Sequence, residues 1–345
     1  MAREVMRRLR SWEGLLLLVL IVVLTFNITR VPNFLTVSNQ VNLFQLGIEK
    51  AIVILAMTFV IIGGEIDLSV ASMMGLSAAI AAATFEAGVP LPLGILIALV
   101  AGLGFGLLNG YFVAVLGLSS LAVTLAGYVG FRGLARFLVQ DRSVGDFPGW
   151  FTELGQTGLI GPLTLSALIF AVLAIVGIVV LHFSGFGRLT YVIGNSAPVA
   201  RFSGVSVARA KITIFMMSGF ISALAGVLMA ARLGAVRAST AEGLELDIIT
   251  VVLLGGVSIF GGVGTMIGVL LSTYLVLNLR NGLVIAGVTG NTQTGIIGLL
   301  LILSVLVPNV VGRVRERPRR RQVDPSVRAP PSDLVEPALS RSAPG

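Results

Sequence analysis

Apolar runs of about 20 residues, the length that crosses a bilayer as a helix, recur along the chain and restrict its fold. Hydrophobic residues make up 56% of the 345 residues and charged residues only 12%. A water-soluble globule would need more polar surface than this chain supplies. The runs are too long for the strands of a membrane barrel, and helices satisfy their own backbone hydrogen bonds in lipid. We therefore expect an all-α polytopic membrane protein.

Composition excludes several kinds of site. The chain has no cysteine and a single histidine, His182, so we expect neither a disulfide nor a thiolate or histidine metal cluster. No GxxxxGK[ST] motif is present, which means that the chain lacks the phosphate-binding loop of an ATPase. We expect a transport subunit rather than an enzyme, without a cofactor.

The net charge of +8 is concentrated at the two ends of the chain. Four arginines lie within residues 3–10 and eight lie from Arg313 onward. Basic ends on an apolar body are typical of cytoplasmic segments, and they favour contact with membrane lipid over binding of nucleic acid. The sequence therefore predicts a cytoplasmic N-terminus over residues 1–13, a transmembrane domain over 14–311 and a disordered basic cytoplasmic tail over 312–345.

Segments of spanning length predict ten helices. The first follows Gly14, and the others lie near 41–62, 67–84, 92–115, 119–139, 162–182, 209–231, 244–260, 264–280 and 291–308. An even number places both termini on one side, together with the basic loop between the sixth and seventh helices. Residues 65–68 (EIDL) are echoed by 245–248 (ELDI), and 109–110 (NG) by 281–282, each five helices later. Because five is odd, these echoes predict two inverted five-helix halves.

The stretch IIGGEIDLSVASMMG (61–75) places Glu65 and Asp67 inside an apolar sequence. An ionised carboxylate there costs several kcal/mol unless it lies at an interface, a cavity or a helix terminus. We expect Gly63 and Gly64 to end one helix and Asp67 to cap the next. Local capping is one interpretation, and a moving joint in a transport path is the other. The second half would repeat this joint with Asp247, Gly255 and Gly256.

A short helix is predicted within the basic loop over residues 183–208. Ser196 suits its N-cap, Pro198 its first turn and Gly204 the left-handed position that ends it. A helix of this length is too short to be stable alone and needs a partner surface. It is either an interfacial helix or a lever for a cytoplasmic motor subunit.

Polar residues mark two further candidate regions. Side chains within the predicted helices are candidates to line a translocation path, although hydrogen bonding to their own helix is the alternative: Asn109, Ser119, Thr124, Ser218 and Asn278. The long outer connection over residues 140–161 mixes aromatic and charged side chains, as an interfacial helix does. Its alternative role is to dock an external protein, with Arg142, Trp150 and, further along the chain, Arg237 as candidate contacts.

Three motifs carry a resemblance to a known family. IDLSVAS (66–72), FGR…IGN…ARFSGV (186–205) and LLGGVSIFGGVG (253–264) resemble the permease subunits of binding-protein-dependent ABC sugar importers of the ribose, xylose, rhamnose and autoinducer-2 type. The resemblance covers about residues 10–310, with the motifs in the same order and spacing. It implies a ten-helix permease of the bacterial cytoplasmic (inner) membrane. Its implied partners are a second permease subunit, the same or homologous, an ABC ATP-binding subunit and an extracytoplasmic sugar-binding protein.

The resemblance also implies roles for residues of the basic loop. The short helix around Pro198 to Gly204 corresponds to the coupling helix that contacts the ATP-binding subunit. The residues implied at this contact are Arg188, Asn195, Pro198, Ala200, Arg201 and Gly204. Such a permease would move its sugar into the cytoplasm by alternating access.

Two positions depart from the family pattern. Glu65 stands where glycine is common, which looks closest to the rhamnose-type permeases, and Val263 stands where a polar or basic residue is common. We expect import of a small sugar, a pentose or a deoxyhexose with the rhamnose type favoured. The alternatives are a branched-chain amino acid permease of the same ABC class and a secondary transporter.

Overall fold

A computed structural model describes residues 12–140, 142–159, 161, 163–290, 292–293, 295–296, 298–299 and 302, which belong to one compact unit. The predicted segments at residues 1–11 and 312–345, and most of the predicted span at 291–308, lie outside the described residues. Twelve named helices follow one another along the described chain. They are α1 (Trp12–Arg30), α2 (Val37–Ile62), α3 (Val70–Glu86), α4 (Leu91–Ala114), α5 (Ser120–Val139), α6 (Gly149–Gln156), α7 (Leu165–Phe183), α8 (Gly185–Asn195), α9 (Ala197–Phe202), α10 (Val207–Leu233), α11 (Leu244–Leu254) and α12 (Met266–Ile285).

The prediction of an all-α polytopic membrane protein is confirmed. Six of these helices, α1, α4, α5, α7, α10 and α12, are long and apolar enough to cross a membrane, and α2 makes a seventh if its two parts count as one span across their 50° bend. Within the described residues, β-type backbone pairing consists of one isolated antiparallel bridge between Val144 and Val236. Nine of the ten predicted spans correspond to helices α1 to α5, α7 and α10 to α12.

Helix α11 is shorter than predicted. The sequence predicts a span over 244–260, but the helix ends at Leu254 after 11 residues. Gly256 has φ +87°, a left-handed conformation that ends a helix at no steric cost. At 1.5 Å per residue the helix is about 16 Å long, roughly half the thickness of the hydrocarbon core.

Helix α10 occupies the centre of the bundle and packs against α2, α3 and α4. Glycines allow the backbones to touch. A Cβ atom on Gly219 of α10 would meet the carbonyl oxygen of Gly102 on α4, and one on Gly226 would meet that of Met74 on α3. Small residues at helix crossings are typical of membrane bundles, where close backbone packing takes the place of the hydrophobic effect.

The bundle has two ends, which we name the loop end and the far end. The loop end holds α8 and α9, and there Trp12 Nε1 donates to the Leu254 carbonyl (2.8 Å) and His182 Nε2 accepts from the Met266 N–H (3.2 Å). The far end holds α6 and the ends of α3, α5 and α10. Residues 65–68 lie at the loop end and 245–248 at the far end, which is the arrangement that an inverted repeat requires.

Candidate functional site

Two glycine pairs end helices in the same way. Gly63 and Gly255 have φ of −67° and −64°, and the glycines after them, Gly64 and Gly256, have φ of +80° and +87°. In both places the following N–H groups bond back to the last helical turn, at 3.0 to 3.4 Å. This is the Schellman pattern, and it places a well-defined joint after α2 and another after α11.

The turn over residues 258–264 packs on the joint after α2. The N–H of Gly262 donates to the carbonyl of Ile62 (2.8 Å). A Cβ atom on Gly194, near the end of α8, would collide with the same carbonyl, and one on Gly261 would lie 2.7 Å from Gly64 Cα. The second and third sequence motifs therefore meet, at the loop end, the joint that precedes the first motif, through contacts that leave no room for side chains.

Helix α9 has the local structure expected from the sequence. Ser196 is its N-cap, with Oγ accepting from the Val199 N–H at 3.4 Å, and Pro198 lies in its first turn. Gly204 has φ +79° just after the helix. The start and end of this six-residue helix are thus set by neighbouring residues.

One face of α9 is packed and the other is free. Ala200 is fully buried in a small apolar cluster that joins α8, α9 and α10. Arg201 is exposed, and so are Val199 (59%) and Phe202 (94%). An exposed phenylalanine beside a cation on a helix held by its opposite face is suited to bind another protein.

Helix α8 connects this surface to the turn over 258–264. Arg188 and Asn195 are both exposed on it, and Asn195 lies against Gly262. Tyr191 Oη donates to the Gly264 carbonyl at 2.7 Å. Burial raises the pKa of the Tyr191 phenol, so the hydroxyl keeps the proton that it donates.

Asp67 is the centre of a buried polar network at the loop end. Its Oδ1 accepts from the N–H (2.9 Å) and the hydroxyl (2.6 Å) of Ser69, and its Oδ2 accepts from the hydroxyl of Ser218 (2.7 Å). Asn109 Nδ2 in turn donates to Ser69 Oγ (3.1 Å). The N-cap of α3, which starts at Val70, is Ser69 rather than Asp67 as expected from the sequence. The Asp67 carboxylate instead bonds to the turn that precedes this helix and links that turn to α4 and α10.

Of the three remaining path residues, Thr124 bonds to the segment around Asp67, because its hydroxyl accepts from the Leu68 N–H at 3.1 Å. Ser119 and Asn278 do not. Ser119 is exposed before the start of α5. Asn278 is fully buried on α12, where it donates to the Tyr274 carbonyl at 2.7 Å. The structure therefore brings together Asn109, Thr124 and Ser218, and leaves the remaining two apart.

Glu65 and Lys211 form an ion pair beside this network. Their side chains are 11% and 17% exposed, so the pair is largely shielded from water. Glu65 follows the joint after α2, and Lys211 lies in the second turn of α10, just beyond α9. Nothing in the sequence around either residue predicts this pair, because the two residues lie 146 positions apart.

Asp247 lies in a second charged cluster, at the far end. Its Oδ2 accepts from Lys50 Nζ (3.3 Å) and from Arg280 Nη2 (2.5 Å), while Arg232 Nε donates to Glu49 Oε1 (2.8 Å). The prediction that Asp247 caps a helix is wrong, because α11 starts at Leu244 and its N-cap is Gly243. Within the helix Asp247 accepts from both cations, and it compensates the charge of Lys50, whose side chain is only 8% exposed.

The predicted docking residues also lie at the far end. Arg142 forms a bidentate, exposed ion pair with Glu86 (3.0 and 3.2 Å). Trp150 is 45% exposed on α6, and Arg237 is exposed in the loop before α11. The bridge between residues 144 and 236 places these two outer segments side by side.

The known proteins that this chain is similar to are permease components of transport systems. A family model described as "Branched-chain amino acid transport system / permease component" matches residues 39–305. The xylose transport system permease protein of Haemophilus influenzae is 31% identical, over 85% of this chain and 94% of its own length. The ribose import permease protein of Bacillus subtilis is 33% identical (88% and 93%), as is the autoinducer 2 import system permease protein of Salmonella paratyphi A (86% and 91%). No solved structure matches the chain.

Proposed function

We propose that this chain, which belongs to the permease family of binding-protein-dependent ABC sugar importers, is the subunit through which a small sugar crosses the inner membrane. The cargo is a pentose or a deoxyhexose. Relatives named for ribose and xylose favour a pentose, whereas Glu65 favours the rhamnose type. The chain supplies the path, and a partner supplies the ATP hydrolysis.

The observation that carries this proposal is the meeting, at the loop end, of the second and third motifs with the joint that precedes the first motif. The exposed face of α9, with Val199, Arg201 and Phe202, is the contact for an ABC ATP-binding subunit. A push on α9 passes through α8 to the backbone contacts around Gly194 and Gly262. Close-packed backbones transmit displacement rather than absorb it, so the joint after α2 moves with the loop.

The remaining partners follow from the two ends of the bundle. By the positive-inside rule the loop end and both termini face the cytoplasm. The far end, with Arg142, Trp150 and Arg237, receives the extracytoplasmic sugar-binding protein. A second permease subunit, the same or homologous, and membrane lipid cover the exposed apolar faces. No nucleic acid is involved.

The buried network around Asp67 is a proposed part of the moving joint. Asn109, Thr124 and Ser218 bond to it in the structure, and a shift of the joint frees their polar groups to face the path. Gly63, Gly64, Gly255 and Gly256 provide the helix ends at which the bundle changes shape.

Transport by the reconstituted complex tests the proposal. The chain is assembled in liposomes with its ATP-binding subunit and its sugar-binding protein, and uptake of labelled D-ribose, D-xylose, L-rhamnose and L-leucine is measured. We expect ATP-dependent uptake of a sugar and none of leucine. Leucine uptake would indicate the branched-chain amino acid permease instead. Sugar uptake that needs no ATPase partner and follows an ion gradient would indicate a secondary transporter.

In the same assay, Arg201→Glu tests the contact of α9 with the ATP-binding subunit. Reversing an exposed interface charge is expected to lower uptake by about tenfold while ATP hydrolysis continues. Arg201→Lys keeps the charge and serves as the matched control. Normal uptake by Arg201→Glu would exclude this residue from the contact.

A further inference from the structure

A cavity of about 200 Å³ lies at the far end between α2 and α12. Lys50, Arg280, Asn281 and Gln293 supply its polar groups, and Leu277 and Val284 are among its apolar walls. It differs from a larger cavity of about 360 Å³ between α2 and α7, whose lining contains no charged residue. A concave site with a few polar groups among apolar walls is the usual form of a small-molecule site.

The cavity contains more hydrogen-bond donors than its neighbours use. Lys50 Nζ and Arg280 Nη2 both bond to the same oxygen of Asp247. Arg280 Nε is buried and has no hydrogen-bond partner among the described residues. Because an ammonium group carries three N–H donors and a guanidinium five, one shared carboxylate oxygen leaves donors for a ligand.

The polar groups of the cavity are held in place. Asn281 exchanges two amide hydrogen bonds with Asn39, both of 3.0 Å. Lys50 is 7% exposed and is fixed by Asp247, which Arg280 also holds. Groups oriented before a ligand arrives lose less conformational entropy when they bind it.

Three of the predicted path residues already use their polar groups within the protein. Asn109, Thr124 and Ser218 are buried in hydrogen bonds to the segment around Asp67. The spare donors of the described residues at the far end lie instead where cargo released by an external binding protein enters.

We propose that this cavity contacts the cargo during import, and that its ligand is a neutral polyhydroxy compound. The hydroxyl oxygens accept from Lys50 and Arg280, and the C–H faces of the sugar pack on Leu277 and Val284. The carboxylate of Asp247 offsets one of the two cations, so the cluster attracts an anion less than two uncompensated cations would. This inference rests on the proposed function and adds the place where the sugar is held.

The absence of cysteine from the natural chain makes a direct test possible. Single cysteines are introduced as Val284→Cys, at a cavity wall that is 57% exposed, and as Ile285→Cys, at the next residue, which is 40% exposed and does not line the cavity. The complex in liposomes is treated with a thiol reagent. The ligand is D-ribose, D-xylose or L-rhamnose, whichever the wild-type complex accumulates.

We expect the sugar, delivered by the binding protein, to slow labelling of Val284→Cys severalfold and to leave Ile285→Cys unchanged. Equal rates with and without sugar at Val284→Cys, in a complex that transports it, would overturn the proposal. Protection by inorganic phosphate instead of sugar would also overturn it, in favour of an anion site. If the wild-type complex accumulates no sugar, the proposed function fails first and this inference with it.

Arg280→Lys provides a second readout. Lysine retains the charge opposite Asp247 but has three N–H donors instead of the five of the guanidinium, so the KM for the sugar is expected to rise about tenfold with little change in the maximal rate. An unchanged KM in an assembled complex would show that the guanidinium does not bind the cargo. A fall in the maximal rate alone would assign Arg280 a structural role.

Discussion

Two acidic side chains only two residues apart are stabilised by different means. Glu65 pairs with Lys211, whereas Asp67 accepts hydrogen bonds from hydroxyl groups and one backbone N–H. Asp67 is 3% exposed. A carboxylate buried to this degree persists when several donors replace its lost water.

Replacing Asp67 separates its charge from its hydrogen bonds. Asp67→Asn keeps a carbonyl oxygen for the Ser69 N–H, so we expect substantial uptake and near-normal folded yield. Asp67→Leu leaves three buried donors without an acceptor, each at a cost of about 1–3 kcal/mol. Folded yield and uptake should then fall together, as measured by detergent extraction with size-exclusion chromatography and by the transport assay. Complete loss of uptake in a well-expressed Asp67→Asn protein would show that the charge itself is needed.

At the scale of helices, the two lysines of the chain link the halves of the predicted repeat. Lys50 lies on α2, in the first half, and pairs with Asp247 of the second half. Lys211 lies on α10, in the second half, and pairs with Glu65 of the first half. Each half thus supplies a cation to the other, one at the far end and one at the loop end.

Charge reversal at the loop-end pair tests this link. Glu65→Lys and Lys211→Glu each leave two like charges in a shielded place, and each is expected to cost roughly 3 kcal/mol of stability. The double variant Glu65→Lys/Lys211→Glu restores opposite charges and should recover most of the loss. Thermal unfolding of the four proteins gives the coupling energy. Additive losses would mean that the two side chains do not interact.

For the whole molecule, orientation follows from the distribution of charge. The loop end carries exposed Arg188, Arg201 and Arg209, and the far end carries exposed Arg30, Arg136, Arg142 and Arg237. The loops alone therefore do not decide the orientation, and the proposal of a cytoplasmic loop end rests on the basic termini, which the positive-inside rule counts as well.

Cysteine labelling in intact cells checks this orientation. A membrane-impermeant thiol reagent should reach Arg142→Cys from outside and should reach Arg201→Cys only after the membrane is permeabilised. Both positions are exposed, so access rather than burial decides the result. The reversed pattern would place α9 outside the cell and contradict coupling to a cytoplasmic ATPase.

Many features of the fold were predictable from short stretches of sequence. Apolar length located nine helices, and Ser196 and Gly204 marked both ends of α9. Such signals are local because a cap acts on N–H and C=O groups within one turn. The same local reasoning was wrong for Asp247, whose position depends on cations from two other helices.

The sequence by itself determined the membrane class, both ends of α9 and the family, because hydrophobic length, capping and motif order are read along the chain. Tertiary structure alone decided which polar groups meet. Glu65 and Lys211 are 146 residues apart, and Lys50 and Asp247 are 197 apart. Their pairing depends on how α2, α10 and α11 cross, and those crossings are set by backbone contacts at glycines such as Gly219 and Gly226. Long-range packing of this kind has no signature in neighbouring residues.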